Sequence, residues 1–368
     1  MTVSLRVVLD QLVDVVDPDV AEAGTQIVRA LVATAPRGCD VTVIVPSDAV
    51  EAAAGVADVS SVTRAPFSRS RLAGSWQLGV TPGIGGGLIH SPSLMAPLVR
   101  HDRVNENDQT VVTLWDLCAW ESPEQFSRGT VAWNRAMLKR AERHADAVVV
   151  PAHAMIAGLS EAAPKLRGRV RVISGAAPIG FSVPADAVGR RRDLGVPDEL
   201  IVISGARCDD EALSAGLAAV SALNEEYAVV VLDVPEGQEP KVQDLAAAAG
   251  LRAEIVHPRA ALPAADRAAV LDAAVALVAP SSLTAFPWRV VEALTLGRPV
   301  VAADSAVHQE ILLDGGLAVP PAGLGEALAQ TLASDDARNR AHVRAMDRGR
   351  AFSWRDHADR VWALHAEL

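Results

Sequence analysis

The stretch Ala279-Pro-Ser-Ser-Leu-Thr-Ala-Phe-Pro-Trp-Arg-Val-Val-Glu-Ala-Leu-Thr-Leu-Gly-Arg-Pro-Val-Val-Ala-Ala-Asp304 decides how this chain is read. An apolar run at 276–279 predicts a buried strand that ends in a Pro-Ser-Ser loop. A helix then starts near Phe286 or Pro287, where proline's missing N–H costs nothing. It runs to Leu296 and stops at Gly297, a left-handed C-cap, before another buried strand at 299–302. Loops at the carboxyl ends of parallel strands are where ligands bind, and a helix start offers free N–H groups to an anion. Glu292 lies about a turn and a half into that helix, within reach of hydroxyl groups on a ligand lying across its start.

Working outward, short β-branched runs alternate with stretches of helical period. Residues 6–10, 41–45, 110–114, 147–150 and 170–173 read as strands, with helices at 21–33, 130–145 and 152–162. A second series has strands at 200–204, 228–232, 253–256, 276–279 and 299–302. Continuous apolar runs separated by helices mean parallel strands buried on both faces. Residues 182–198, rich in Pro, Gly and Arg, suit a linker or the first helix of the second series. Two such series predict two doubly wound α/β domains facing a cleft, 1–180 and 181–350. Residues 351–368 predict a terminal amphipathic helix with Ser353 as N-cap and Asp356 at the capping-box position.

Composition agrees and excludes several classes. The 368 residues are 50% hydrophobic and 21% charged, with mean hydropathy +0.21, as in a packed globular protein. No apolar run approaches the ~20 residues of a membrane-spanning helix. The amino-terminal residues read as a first strand, so a cytoplasmic location is expected. A net charge of −11 argues against a nucleic-acid partner. Cys39, Cys118 and Cys208 lack metal or disulfide spacing. His153, His257 and His308 have no partner at ligand spacing, so no metal and no cofactor are expected.

Other motifs point to less. Thr81-Pro-Gly-Ile-Gly-Gly-Gly87 lacks the Lys-Ser/Thr of a phosphate loop and reads as a flexible turn. Arg64, Arg69 and Arg71 read as a solvated loop; the alternative is contact with an anionic membrane or acceptor. Trp120, Trp133, Trp354 and Trp362 read as core.

The quoted stretch resembles the signature of the retaining family 4 glycosyltransferases, whose fold is GT-B. Pro280, Ser281, Phe286, Glu292, Ala293, Gly297, Pro299, Val300 and Val301 fit the pattern. His144-Ala-Asp-Ala-Val-Val-Val-Pro-Ala-His153 and Arg169-Val-Arg-Val-Ile-Ser174 are similar to the close of that family's first domain. The segment 262–271, Gly315-Gly316-Leu317 and Phe352-Ser-Trp354 fit the frame around it, so the resemblance spans nearly the whole chain. It implies a terminal helix crossing back to the N-terminal domain, and transfer of a hexosyl group, mannose or glucose type, from a nucleotide-sugar to a glycan or lipid-linked acceptor with retention.

The resemblance also implies roles for residues. Glu292 and Asp116 would be catalytic. Gly205, Arg207, Thr284, Phe286, Pro287, Trp288, Arg289 and Glu292 would line the donor side. Gly24, Thr25, His90 and Trp115 would line the acceptor side, Gly24 and Thr25 in the first loop. Departures fall on these positions. Thr284 replaces the first Glu of the signature, while Ala285 and Pro287 replace glycines, and proline brings no N–H. Trp115 precedes Asp116 where His is usual. Asp209, Asp210 and Glu211 stand where a Lys should neutralise the diphosphate. Arg289 is expected either in the cleft, as a compensating cation, or solvated on its helix; Trp288 either packs or stacks on the ligand. The alternative reading is a catalytically impaired GT-B scaffold that partners an active glycosyltransferase. Peripheral contact with the inner face of the membrane is the further expectation.

Overall fold

The computed structural model describes residues 2–102 and 107–368. The chain divides into two compact units, Met1–Gly175 with Ser353–Leu368, and Ala176–Phe352.

The strands of unit 1 are β1 (Val3–Val8), β2 (Cys39–Val45), β3 (Ser61–Arg64), β4 (Leu88–Ser91), β5 (Gln109–Thr113), β6 (Ala147–Val150) and β7 (Val170–Val172). They form one sheet in the order β3-β2-β1-β4-β5-β6-β7, every neighbouring pair parallel. Unit 2 contains β8 (Leu200–Ser204), β9 (Ala228–Leu232), β10 (Val256–Pro258), β11 (Ala274–Ala279), β12 (Val300–Ala303) and β13 (Leu317–Val319), in the order β10-β9-β8-β11-β12-β13 and again parallel. In both sheets the strand order reverses beside the first strand, between β1 and β4 and between β8 and β11. Connections leave toward opposite faces there, which opens a crevice at the carboxyl ends of the strands.

The central strands are Val-, Ile- and Ala-rich because both faces are covered. In β6 all four residues of Ala147–Val150 are fully buried, as are Leu200–Ile203 of β8. Three strands lie outside the two series read from the sequence: the edge strands β3, whose Ser61-Val-Thr-Arg64 is polar, and β13, and the central β4, whose four residues Leu88-Ile-His-Ser91 end in polar side chains. Residues 253–255 form a 3-10 turn instead of a strand, and β10 starts at Val256, in register with Val229.

Two segments differ from the expectation. Helix Pro18–Ala33 begins upstream of residue 21 because Asp17 caps it, its carboxylate accepting from the Asp19 and Val20 N–H groups. Gly24 and Thr25 therefore lie inside a helix and not in the first loop. Gly24 is there for packing: a Cβ would stand 3.2 Å from Leu9. The Thr81–Gly87 segment is a fixed turn at the amino end of β4, with Gly83, Gly85 and Gly87 at positive φ. The Arg6 guanidinium holds the carbonyls of Ile84 and Gly86. That end of the sheet is opposite the ligand-binding edge.

Helix Trp354–Glu367 belongs to unit 1, where it packs along helix Pro18–Ala33. Ser353 caps it through the Arg355 and Asp356 N–H groups, and Trp362 Nε1 donates to the Leu31 carbonyl at 3.3 Å. Among the described residues no helix is long and apolar enough to cross a membrane.

Candidate functional site

In unit 2 the carboxyl-end loops of β8, β9 and β11 touch one another. Ser204 ends β8 and Gly205 follows. The Gly205 N–H donates to the Leu232 carbonyl at the end of β9 (2.8 Å), and a Cβ on Gly205 would sit 2.6 Å from that oxygen. Only glycine lets the two loops approach this closely. Arg207 is left-handed (φ 57°), and its carbonyl accepts from Ser281 Oγ at 2.7 Å, which ties the β8 loop to the Pro-Ser-Ser loop after β11. A groove of about 460 Å³ opens beside them, lined at one end by Arg207, Asp209, Glu211 and Ser281–Leu283, and along its length by alanines of helix Asp210–Ser221.

The acidic run has local duties. Asp209 is the N-cap of helix Asp210–Ser221, accepting from the Ala212 N–H at 2.8 Å, and Asp210 pairs with Lys241 at 2.6 Å on the surface. A lysine therefore does approach this helix start, from a helix the sequence reading passed over. Cys208 is inert: burial, then the neighbouring Asp209 carboxylate, pushes its thiol up to about 12.

Helix Trp288–Thr295 starts after Pro287 and ends before Gly297, which is left-handed (φ 67°). Phe286 is buried and meets the half-buried Trp288 edge-on, ring centroids 4.6 Å apart. Thr284 and Pro287 are half-buried in the loop before the helix.

Two expectations need correcting. Glu292 reaches back to Arg289, the second residue of its helix, but its carboxylate is not offered to a ligand: the side chain is 3% exposed. Its Oε1 accepts from Arg267 Nη2 (2.7 Å), Arg267 Nε (3.0 Å) and Arg289 Nη1 (2.6 Å), and its Oε2 from Arg267 Nε (3.1 Å). Arg289 is neither a solvated helix residue nor a loose cation. It is buried, and its Nε donates to Asp233 Oδ2 at 2.8 Å. The order Arg267–Glu292–Arg289–Asp233 alternates in charge, as a buried ionic cluster must. Burial raises the Glu292 carboxyl, but Arg289 and Arg267 pull it further the other way, and the net result lies below the usual carboxylate range.

In unit 1 the expected acceptor-side residues separate. Asp116 sits just past β5, where its Oδ1 accepts from the Cys118 N–H at 3.0 Å. Trp115 is buried, donates from Nε1 to the Pro92 carbonyl (2.7 Å) and stacks on His357 of the terminal helix. His90 is fully buried against that helix instead of lining an open surface, because His365 Nε2 meets its Nδ1 at 3.4 Å. Burial, then His365 and His357, holds the His90 ring well below its ordinary value, so it is neutral.

The sequence reading missed Asp10, Arg69 and Ser93 as a group. Asp10 follows β1 and is buried, with Arg69 Nε at 3.0 Å and Ser93 Oγ at 3.4 Å. It also missed Asp233 and Arg267. Asp10 and Asp233 follow a first and a second strand, positions that topology alone would have marked; nothing in the sequence marks Arg267. Among the described residues no group of three or more His, Cys, Asp or Glu is placed to hold a metal ion.

Over its whole length the chain is similar to sucrose-phosphate synthase from Thermosynechococcus elongatus, with 19% identity, 99% of this chain and 98% of that chain covered, and TM-score 0.71. It is equally similar to HepE from Anabaena in complex with UDP and glucose, with 17% identity, all of both chains covered, and TM-score 0.72. The fold is GT-B. WaaG, a glycosyltransferase involved in lipopolysaccharide biosynthesis, shares the GT-B fold at 15% identity, 97% and 98% coverage and TM-score 0.63. Residues 199–334, in unit 2 of the GT-B chain, match the family model Glycosyl transferases group 1. No curated protein sequence matches the chain.

Proposed function

We propose that this GT-B chain is a glycosyltransferase that moves a hexosyl group, mannose or glucose type, from a nucleotide-sugar to a glycan or lipid-linked acceptor with retention, in the cytoplasm or at the inner face of the membrane. One observation carries the reading. The Gly205–Arg207 turn and the Pro-Ser-Ser loop that leads into Thr284–Trp288 meet through Ser281 and Arg207 at the reversal between β8 and β11, inside the segment that matches the glycosyltransferase model. Gly205, Arg207, Thr284, Phe286, Pro287 and Trp288 are the donor-side contacts in this reading, and Asp116 and Trp115 the acceptor-side ones. Glu292 acts by holding Arg289 in place. Catalysis then rests on positioning and on stabilising charge at the leaving diphosphate.

HepE is known in complex with UDP-glucose, which makes uridine nucleotides the first probes. Calorimetric titration with UDP, UDP-glucose and GDP-mannose should give saturable binding of at least one. Absence of heat from all of them at millimolar ligand would remove the donor reading. The second reading, a GT-B scaffold for an active glycosyltransferase, is favoured by Asp209 and Glu211 at the groove mouth and by the sealed carboxylate of Glu292. Nucleotide binding with neither transfer nor slow donor hydrolysis would favour it.

A further inference from the structure

We propose that Asp233 grips the vicinal hydroxyls of the donor's ribose, with Arg289 as the positioning residue that aims its carboxylate; this rests on the reading of unit 2 as the nucleotide-sugar side.

Topology supplies the first reason. Unit 2 has the order β10-β9-β8-β11-β12-β13, so β8 is the first strand of a doubly wound sheet and β9 the second. In such sheets the phosphates lie over the turn after the first strand, and an acidic residue at the carboxyl end of the second accepts from the ribose hydroxyls. Asp233 is the residue directly after β9.

Proximity supplies the second. The Gly205 turn touches the end of β9 through the Gly205 N–H and the Leu232 carbonyl, 2.8 Å apart. A nucleotide with its phosphates over that turn carries its sugar past Asp233.

Conformation supplies the third. Asp233 is left-handed, φ 60°, one of four non-glycine residues so placed among the described residues. Aspartate tolerates this conformation better than most side chains, and strain of this kind gathers at ligand sites.

The hydrogen bonds supply the fourth. Arg289 Nε holds Oδ2 at 2.8 Å, whereas Nη2 reaches Oδ1 only at 3.4 Å. The carboxylate is fixed in direction while Oδ1 keeps acceptor capacity for a hydroxyl. Glu292, the other acid of the cluster, is 2% exposed and already takes four guanidinium contacts. Of the two, Asp233 is the one at the loop surface.

The test compares UDP, 2′-deoxy-UDP and 2′,3′-dideoxy-UDP on the full chain, wild type against Asp233→Gly and Asp233→Asn, with melting curves for each. Glycine adopts φ 60° freely, so it removes the carboxylate and spares the backbone. Wild type should lose about tenfold in affinity on removal of the ribose hydroxyls, the scale of a hydrogen bond to a charged group. Asp233→Gly should bind all three equally weakly, and Asp233→Asn should fall between. Equal wild-type affinity for UDP and its dideoxy analogue overturns the proposal even if neither variant folds. So does a folded Asp233→Gly that still tells them apart. If wild type binds none of the three but binds GDP-mannose, the comparison is made with GDP, 2′-deoxy-GDP and 2′,3′-dideoxy-GDP, where equal affinities overturn the ribose grip and leave the donor reading standing; if nothing binds, both fall.

Discussion

Arg289 and Glu292, three residues apart on one helix, form an ion pair of 2.6 Å with both side chains 3% exposed. The pair is extended by Arg267 on one side and by Asp233 on the other. A signature glutamate is thus spent inside the protein, and its cation partner links it to the end of β9, with β8 lying between that strand and β11.

Glu292→Gln should lower stability by roughly 3 kcal/mol at neutral pH, since removing one member of a buried ion pair leaves uncompensated charge. The sign of the pH dependence follows from a folded carboxyl held below its unfolded range. The stabilisation is complete above the unfolded range and fades as pH falls through the folded value. Urea melts of both proteins between pH 3 and 7 should therefore converge at the acid end. A constant gap would contradict the ion-pair account.

The buried histidines of unit 1 should make the fold acid-sensitive. Burial lowers His357 and His365 to about 4, from an ordinary 6.5. The unfolded chain then binds more protons than the native one between these values. Stability is fully present above about 6.5 and drops as pH falls toward 4, by about 3 kcal/mol per histidine. His365→Gln should flatten that slope in melts followed by tryptophan fluorescence.

Gly349→Ala should destabilise unit 2 by about 1–3 kcal/mol through overpacking. A Cβ at this position would stand 2.5 Å from the Leu294 carbonyl, so helix Asp335–Gly349 must shift off helix Trp288–Thr295. Differential scanning calorimetry should register the loss, whereas Gly74→Ala, with nothing within 4 Å, should cost no more than an exposed change.

Asp210→Asn releases Lys241 from its 2.6 Å surface pair beside the groove. UDP affinity should rise by a few-fold at low ionic strength, and the gain should vanish in about 0.5 M salt because exposed charges are screened. An unchanged affinity at low salt would remove Lys241 and Asp210 from the account of the donor site.

Much of the scaffold was legible because parallel strands buried on both faces announce themselves. The runs 147–150, 200–204 and 228–232 match β6, β8 and β9 residue for residue. Edge strand β3 was hidden since three of its four residues are polar and only one side of it is paired. The start of helix Pro18–Ala33 was missed because its signal is a cap, Asp17-Pro18, and not a period. The site was harder to read. Spacing located Glu292 on its helix, but the direction of its carboxylate depends on Arg267, 25 residues away in sequence. Likewise His90 lies on β4, yet what covers it comes from residue 365. Pairings across such separations leave no local pattern.

Unit 1 receives its last helix from the far end of the chain, with all of Ala176–Phe352 in between. During vectorial synthesis on the ribosome, His90 and Trp115 must wait, uncovered, until residues 354–367 have been translated. The second unit, an uninterrupted segment, is able to condense first, and emergence of helix Trp354–Glu367 is what completes the earlier-made half.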